Sequence, residues 1–312
     1  MTASLENIAS KGAKQGIDTH LNGDESQAFD DASHIESILA QTFVGDHGSE
    51  VSEELLRLVV AQGLWGEGYL GPGSPELLAK LIIPLQLSNE KNLGIIGFGL
   101  GGAARHIARE TEVKITGYER RSNILAEALR QFTAAGLKKN IAVKAYKPNS
   151  VRLPKEKFDG VIAFQELSLV ENKERLIKQV HRSLKPGGTF VLTDYVIANG
   201  DFDQAKQASC FSGTSGQTFL CSPEEYTATI EKSGFDISVQ EDITSQPLSL
   251  IVQGWAGWRQ ILKAMIGFDS SSVDEASILR VLGEQATEWA NRLDALNKDD
   301  LAVYQFVCRK PA

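Results

Sequence analysis

The sequence predicts an α/β fold built on a mostly parallel sheet with helices on both faces, and three observations predict it. Short apolar runs near residues 92–96, 113–118, 141–146, 159–163 and 188–194 alternate with helix-periodic stretches near 103–110, 122–136 and 171–184. Such alternation is the pattern of strands joined by crossover helices. The first run, from Leu93, breaks into the glycine-dense turn Gly97-Phe-Gly-Leu-Gly-Gly102 and then into a small-residue helix from Ala103 to Arg109. The second run, Ile115-Thr-Gly-Tyr-Glu119, ends on an acid.

The remaining elements follow in chain order. Residues 1–24 are polar and rich in Gly, Lys, Asn and Asp, which predicts a flexible tail. From Ser26 to about Leu64 the periodicity is helical, with one stripe of Ile35, Ile38, Leu39 and Phe43 and another of Val51, Leu55, Leu56, Val59 and Val60. The stretch from Trp65 to Gly73, Trp-Gly-Glu-Gly-Tyr-Leu-Gly-Pro-Gly, is a loop by composition. Ser74 is placed as an N-cap, with Pro75 at the first helical position and Glu76 in the first turn of a helix to about Leu85. After the fifth strand come a helix from Pro223 to Ser233 and the strand Asp236-Ile-Ser-Val-Gln240. A long helical insertion then precedes the final strand, Ala302-Val-Tyr-Gln-Phe-Val-Cys308. Seven strands result. The domains expected are a tail 1–24, an N-terminal helical cap and lid 25–90, a core 91–245, an insertion 246–299 and a last strand 300–312.

Composition narrows the function. With 312 residues and 42% hydrophobic content, the chain can bury one full core and an appendage. Its 32 basic and 40 acidic residues leave a net charge of −8, which argues against nucleic acid, whose phosphates call for a basic face. Cys210, Cys221 and Cys308 are widely spaced, and no His/Cys cluster has metal-ligand spacing, so no metal is expected and a reduced, cytoplasmic protein is. The start Met1-Thr-Ala-Ser-Leu lacks a signal-peptide pattern, and no run of ~18 apolar residues predicts a membrane span. Oligomeric state is not legible.

A turn that bends sharply and admits a ligand to the backbone needs glycine, and an acid at the tip of the next strand is placed to accept from ribose hydroxyls. These features predict a nucleoside-cofactor site. Gly97, Gly99 and Gly102 fit G-x-G-x-x-G, and Gly97, Gly99 and Gly101 fit G-x-G-x-G. The segment Leu184-Lys-Pro-Gly-Gly-Thr-Phe-Val-Leu-Thr-Asp194, in its order and spacing after the glycine turn, resembles the entry into strand five of class I S-adenosylmethionine-dependent methyltransferases. The loop from Trp65 to Gly73 is similar to the lid of the small-molecule type that acts on phosphoethanolamine, sterols or quinones. The resemblance implies a Rossmann-like seven-stranded sheet with an antiparallel last strand, N-terminal helices, a helical insertion capping the substrate side, and S-adenosyl-L-methionine as cofactor.

It also implies a set of site residues. Gly97, Phe98, Gly99 and Gly101 face the methionine part, Glu119 the ribose, and Asn149-Ser150 the adenine, with Arg120 and Gln165 beside them. Glu67 and Tyr69 of the lid and Trp255 and Trp258 of the insertion are expected at the acceptor, although helical spacing also suits the two tryptophans to a core. Glu166 and Asp194, at the carboxyl ends of strands four and five, are the candidates to orient an acceptor or take its proton. Three departures stand out. Ile95 replaces an acid two residues before the first glycine, Asn149 replaces the adenine-loop acid, and Ser168-Leu169 stand where histidines are common. The leading expectation is methyl transfer to a small or lipid-like molecule by in-line displacement. The alternatives are a non-catalytic module on the same fold and an NADP-dependent oxidoreductase with Arg120 and Arg121 on a 2′-phosphate.

Overall fold

The computed structural model describes residues 38, 52–200, 202–213, 217–267 and 274–312. The expected tail and most of the first helical stripe (Ile35, Leu39 and Phe43), together with Val51, lie outside the described residues. The chain divides into two compact units, Met1–Gly73 with Ser209–Gly213 and Pro247–Ala295, and Ser74–Ala208 with Thr214–Gln246 and Leu296–Ala312.

The second unit holds the sheet. Helix α1 (Glu53–Trp65) belongs to the other unit, and the sheet unit opens with α2 (Pro75–Ile82). Ser74 caps α2 by accepting from Leu77 N–H, and a 3₁₀ turn continues the helix over Ile83–Leu85. Strand β1 (Asn92–Ile96), α3 (Gly102–Thr111), β2 (Lys114–Glu119), α4 (Ser122–Ala134) and β3 (Ile141–Ala145) come next. Then follow β4 (Phe158–Phe164), α5 (Lys173–Ser183), β5 (Leu184–Ile197), α6 (Gln204–Cys210), α7 (Pro223–Lys232) and β6 (Asp236–Asp242). Helices α8 (Ser245–Ala256), α9 (Trp258–Gly267) and α10 (Glu275–Asn297) form the insertion before β7 (Leu301–Arg309).

The seven strands are ordered β3-β2-β1-β4-β5-β7-β6, with β7 antiparallel to both neighbours and the rest parallel. The expected sheet and its antiparallel last strand are therefore present. One face packs Ile95, Ile107, Ile115, Ile162 and Val191 together; another cluster joins Ile96, Val161, Leu192, Phe190 and Tyr226. Strand order reverses between β1 and β4. In open α/β sheets that reversal opens a crevice at the carboxyl edge, where ligands bind.

Strand β5 runs longer than its apolar run suggests. It pairs with β7 from Thr189 to Ile197, and the Lys185-Pro-Gly-Gly188 segment, which lies mostly ahead of the apolar run 188–194, is an irregularity inside the strand. Register to β4 jumps there from Leu184 to Thr189. The segment stays in the sheet because Gly187 N–H donates to the Lys310 and Pro311 carbonyls while Lys310 N–H donates to Gly188.

In the helical unit, Ser52 caps α1, whose first turn carries Glu53 and Glu54 where the helix dipole favours them. The Trp65 and Trp289 rings lie 4.8 Å apart, and the Arg292 guanidinium sits 4.0 Å from the Trp289 ring while donating to the Cys210 carbonyl and to Glu288. Gly254 admits α8 to α1, since a Cβ there would stand 2.6 Å from the Trp65 ring. Among the described residues no helix is long and apolar enough to cross a membrane.

One packing constraint is directly testable. A Cβ on Gly117 of β2 would stand 2.1 Å from the Phe98 ring, which is buried and braced by Phe132 at 5.5 Å between centroids. Overpacking of this kind costs about 1–3 kcal/mol. Gly117→Ala should lower the urea unfolding midpoint of the protein, and adding Phe98→Leu should recover most of the loss; an unchanged midpoint in the single variant would refute the constraint.

Candidate active site

The glycine turn is assembled from backbone bonds that few other sequences permit. Gly97 and Phe98 N–H both donate to the Tyr118 carbonyl, and Gly101 N–H returns to the Phe98 carbonyl. Gly97 and Gly101 have φ of 72° and 81°, a region costly for residues with a Cβ. Gly101 is also the N-cap of α3 and offers no side chain, so the buried first turn of that helix keeps N–H donors without a side-chain cap. Helix starts of this kind suit a carboxylate.

Glu119 closes β2 directly beneath the turn. Its carboxylate has no exposed surface and accepts from Gly99 N–H at 2.8 Å and from Arg121 N–H and Nε–H, each at 3.0 Å. The acid and the glycine turn, separate in sequence, are thus one hydrogen-bonded unit.

Glu166 enters the same edge from the other side of the crevice. It follows β4 and is buried, with Oε2 lying 2.8 Å from where a Cβ on Gly97 would stand. The Tyr146 hydroxyl, at the end of β3, donates to Oε1, and Arg120 Nε lies 3.5 Å from the same oxygen. That Nε is buried and makes no hydrogen bond. Burial pushes the Glu166 carboxyl up to about 7; the Tyr146 bond pulls it down, the Glu119 charge pushes it up, and Arg120 and Arg121 pull it down. Tyr146 in turn is held far above its usual value, by burial first and then by the Glu166 charge.

Asp194 is wholly buried, and both its oxygens are engaged. Ser168 N–H and the Tyr226 hydroxyl donate to Oδ2 at 2.7 and 2.9 Å, and Tyr195 N–H donates to Oδ1 at 2.8 Å. Burial raises its pKa, opposed chiefly by the Ser168 and Tyr226 hydrogen bonds. The carboxylate thereby fastens the 3₁₀ turn Leu167–Leu169 to β5 and α7.

The other expected residues are dispersed. The ring of Phe98 packs inward on Phe132, its N–H donates to the Tyr118 carbonyl of β2, and its carbonyl accepts from Gly101 N–H. Gln165 has φ of 51° and bonds the Thr193 carbonyl through its N–H. Asn149 and Ser150 are exposed on the 3₁₀ turn Pro148–Ser150, and Asn149 lines an open groove of about 740 Å³ with Asn172, Lys173, Arg175, Phe219 and Cys221. Glu67, Tyr69, Trp255 and Trp258 lie in the helical unit. Tyr69 folds back on its own loop, 3.0 Å from where a Gly73 Cβ would stand, and Trp255 and Trp258 are buried with Ile261 and Met265. Among the described residues no group of three or more His, Cys, Asp or Glu side chains could hold a metal ion.

Tyr146 and Tyr226 went unnoticed at the level of sequence. The available signal was a tyrosine closing the third strand, just before Lys147-Pro148, and another at the core-facing position of a helix.

Known proteins resemble this chain in sequence and in fold. Residues 95–188 match the family described as "Methyltransferase domain". Phosphoethanolamine N-methyltransferase 3 of Arabidopsis thaliana is 23% identical over 188 residues, which is 60% of this chain and 37% of that protein. Phosphoethanolamine N-methyltransferase of Plasmodium falciparum is 30% identical over 139 residues, 44% of this chain and 51% of that protein. This chain thus spans between about a third and a half of the length of these relatives. Among solved structures, phosphoethanolamine N-methyltransferase 2 of Haemonchus contortus, in complex with phosphomonomethylethanolamine and S-adenosylhomocysteine, superposes with a TM-score of 0.72. It is 18% identical, with 89% of this chain and 61% of that one covered. Residues 95–188, which hold the glycine turn and the Lys185-Pro-Gly-Gly188 segment, thus match a methyltransferase domain, and the fold is that of the solved methyltransferase superposed on it.

Proposed function

We propose that this protein transfers a methyl group from S-adenosylmethionine to a small or lipid-like acceptor. The observation that carries the reading is the bond from Gly99 N–H to the Glu119 carboxylate at the carboxyl edge, beside the crevice between β1 and β4. The similarity to relatives named phosphoethanolamine and sterol methyltransferases supports it.

The residues present suit this cofactor. The uncapped first turn of α3 would take its carboxylate, and Glu119 would take its ribose hydroxyls. Because Glu119 is fully enclosed, a ribose must replace the Arg121 contacts, which lie at the more exposed end of that pair. When bound, the cofactor supplies an electrophilic methyl group on a positively charged sulfur. The chain's own contribution is alignment and exclusion of water. Asp194, with three donors already on it, acts by holding the 3₁₀ turn after β4 rather than by taking a proton from the acceptor.

Calorimetric titration with S-adenosylmethionine tests the site. Gly99→Val should abolish binding while leaving the thermal unfolding of the sheet unit cooperative; a folded variant that binds as tightly as the parent defeats the assignment. Glu119→Gln should lose ~1.5–3 kcal/mol of affinity, the worth of hydrogen bonds to a charged group. A 2′-deoxy cofactor should suffer far less from that change, and equal losses would place Glu119 away from the ribose. Turnover is checked by formation of S-adenosylhomocysteine with phosphoethanolamine and with a sterol as acceptors. Cofactor binding without product from either would exclude both acceptor classes.

A further inference from the structure

We propose that Glu166 receives the positive charge of the cofactor's methionine end, supplying from β4 the anion that Ile95 cannot supply from β1. The inference rests on the methyltransferase reading above and assigns one residue within it.

Location comes first. The sheet reverses between β1 and β4, and the residues flanking that crevice are Gly97 on one side and Glu166 on the other. Ile95 is 4% exposed and sits in an apolar cluster with Leu78, Ile107 and Val191, so β1 brings no charge to its carboxyl end. The groups facing Glu166 are few: Gly97 from β1, Glu119, Arg120 and Arg121 from the end of β2, and Tyr146 from the end of β3. Glu119 already accepts from Gly99 and Arg121. The hydrogen bond to Glu166 falls on Oε1, and its Oε2 is turned toward the glycine turn. Arg120 approaches without a hydrogen bond, so the carboxyl is only partly compensated. A buried, partly paired carboxyl in a ligand crevice is suited to a cationic ligand.

S-adenosylmethionine brings a sulfonium and an ammonium, its demethylated product only the ammonium, and 5′-methylthioadenosine neither. Burial holds the empty Glu166 carboxyl near pH 7, so below that pH a cation must expel a proton to bind. Affinity for a cation should therefore rise with pH and level off above about 7. The same raised value means that the ligand-free protein loses stability as pH climbs through that range, because the neutral form is the one the fold favours.

Calorimetry of the three nucleosides between pH 6 and 7.5 tests the assignment. In the parent, S-adenosylmethionine should bind ~8-fold more weakly at pH 6 than at 7.5, with a proton released that buffers of different ionisation enthalpy reveal. Glu166→Gln, close in shape and still an acceptor for Tyr146, should flatten that profile and weaken the cationic ligands while sparing 5′-methylthioadenosine. Loss confined to S-adenosylmethionine assigns the sulfonium; loss shared with the product assigns the ammonium. Tyr146→Phe removes a bond that lowers the Glu166 pKa and should move the midpoint upward without changing the ranking of ligands. Two results overturn the proposal: an unchanged pH profile in Glu166→Gln, or an equal loss for all three nucleosides. A parent that binds none of them would instead refute the methyltransferase reading.

Discussion

A carboxylate that cannot reach water organises the carboxyl edge of this sheet. Glu119 has no exposed surface, and a buried charge is tolerated only when donors surround it. One of its donors is Gly99 N–H, and that group points down at β2 only because the chain after β1 doubles back. The doubling back requires left-handed backbone at Gly97 and Gly101 and two bonds to the Tyr118 carbonyl. It also swings Phe98 onto β2, where Gly117 is bare enough to receive the ring. From one acid the dependence passes to the turn, from the turn to an aromatic, and from the aromatic to a second glycine.

The same device recurs at the end of β5. Asp194 is as deeply buried as Glu119 and is satisfied by Ser168 N–H, Tyr195 N–H and the Tyr226 hydroxyl. Those bonds hold the turn after β4 and therefore decide where Glu166 leaves the strand. Two buried acids with different partners thus set the walls of one crevice.

How much of this the sequence discloses depends on the range of the interaction. The glycine turn and the acid after it were legible because both are local: missing side chains and an apolar run ending in a charge announce themselves within a few residues. The Ser74 cap was legible for the same reason. The length of β5 was not, because its last residues are held by β7, more than a hundred positions away, and its glycines are held by the chain's final residues. The Glu166 environment was invisible for a related reason. Its partners come from the ends of β2 and β3, and only the strand order β3-β2-β1-β4 lays them along one edge. The helix-periodic tryptophans of the insertion fit a core or a ligand equally well in sequence, and only burial distinguishes the two.

On the proposed role of Glu166, charge balance accounts for the absence of an acid at Ile95. The edge holds two carboxylates, Glu119 and Glu166, and two guanidiniums, Arg120 and Arg121. With Glu166 protonated the cluster carries one net positive charge, and a cationic ligand would meet repulsion in a medium that screens poorly. With Glu166 ionised the cluster is neutral and the ligand's charge stands alone beside a carboxylate. The two acids also oppose each other, since the Glu119 charge raises the Glu166 carboxyl and so keeps it from ionising freely when the crevice is empty. An acid at position 95 would have been buried in the apolar cluster with Leu78, Ile107 and Val191, at the cost of taking a charge out of water. Carrying the charge on β4 places it instead where Tyr146 and Arg120 already supply partial compensation, and where ionisation and the arrival of a cation can be the same event.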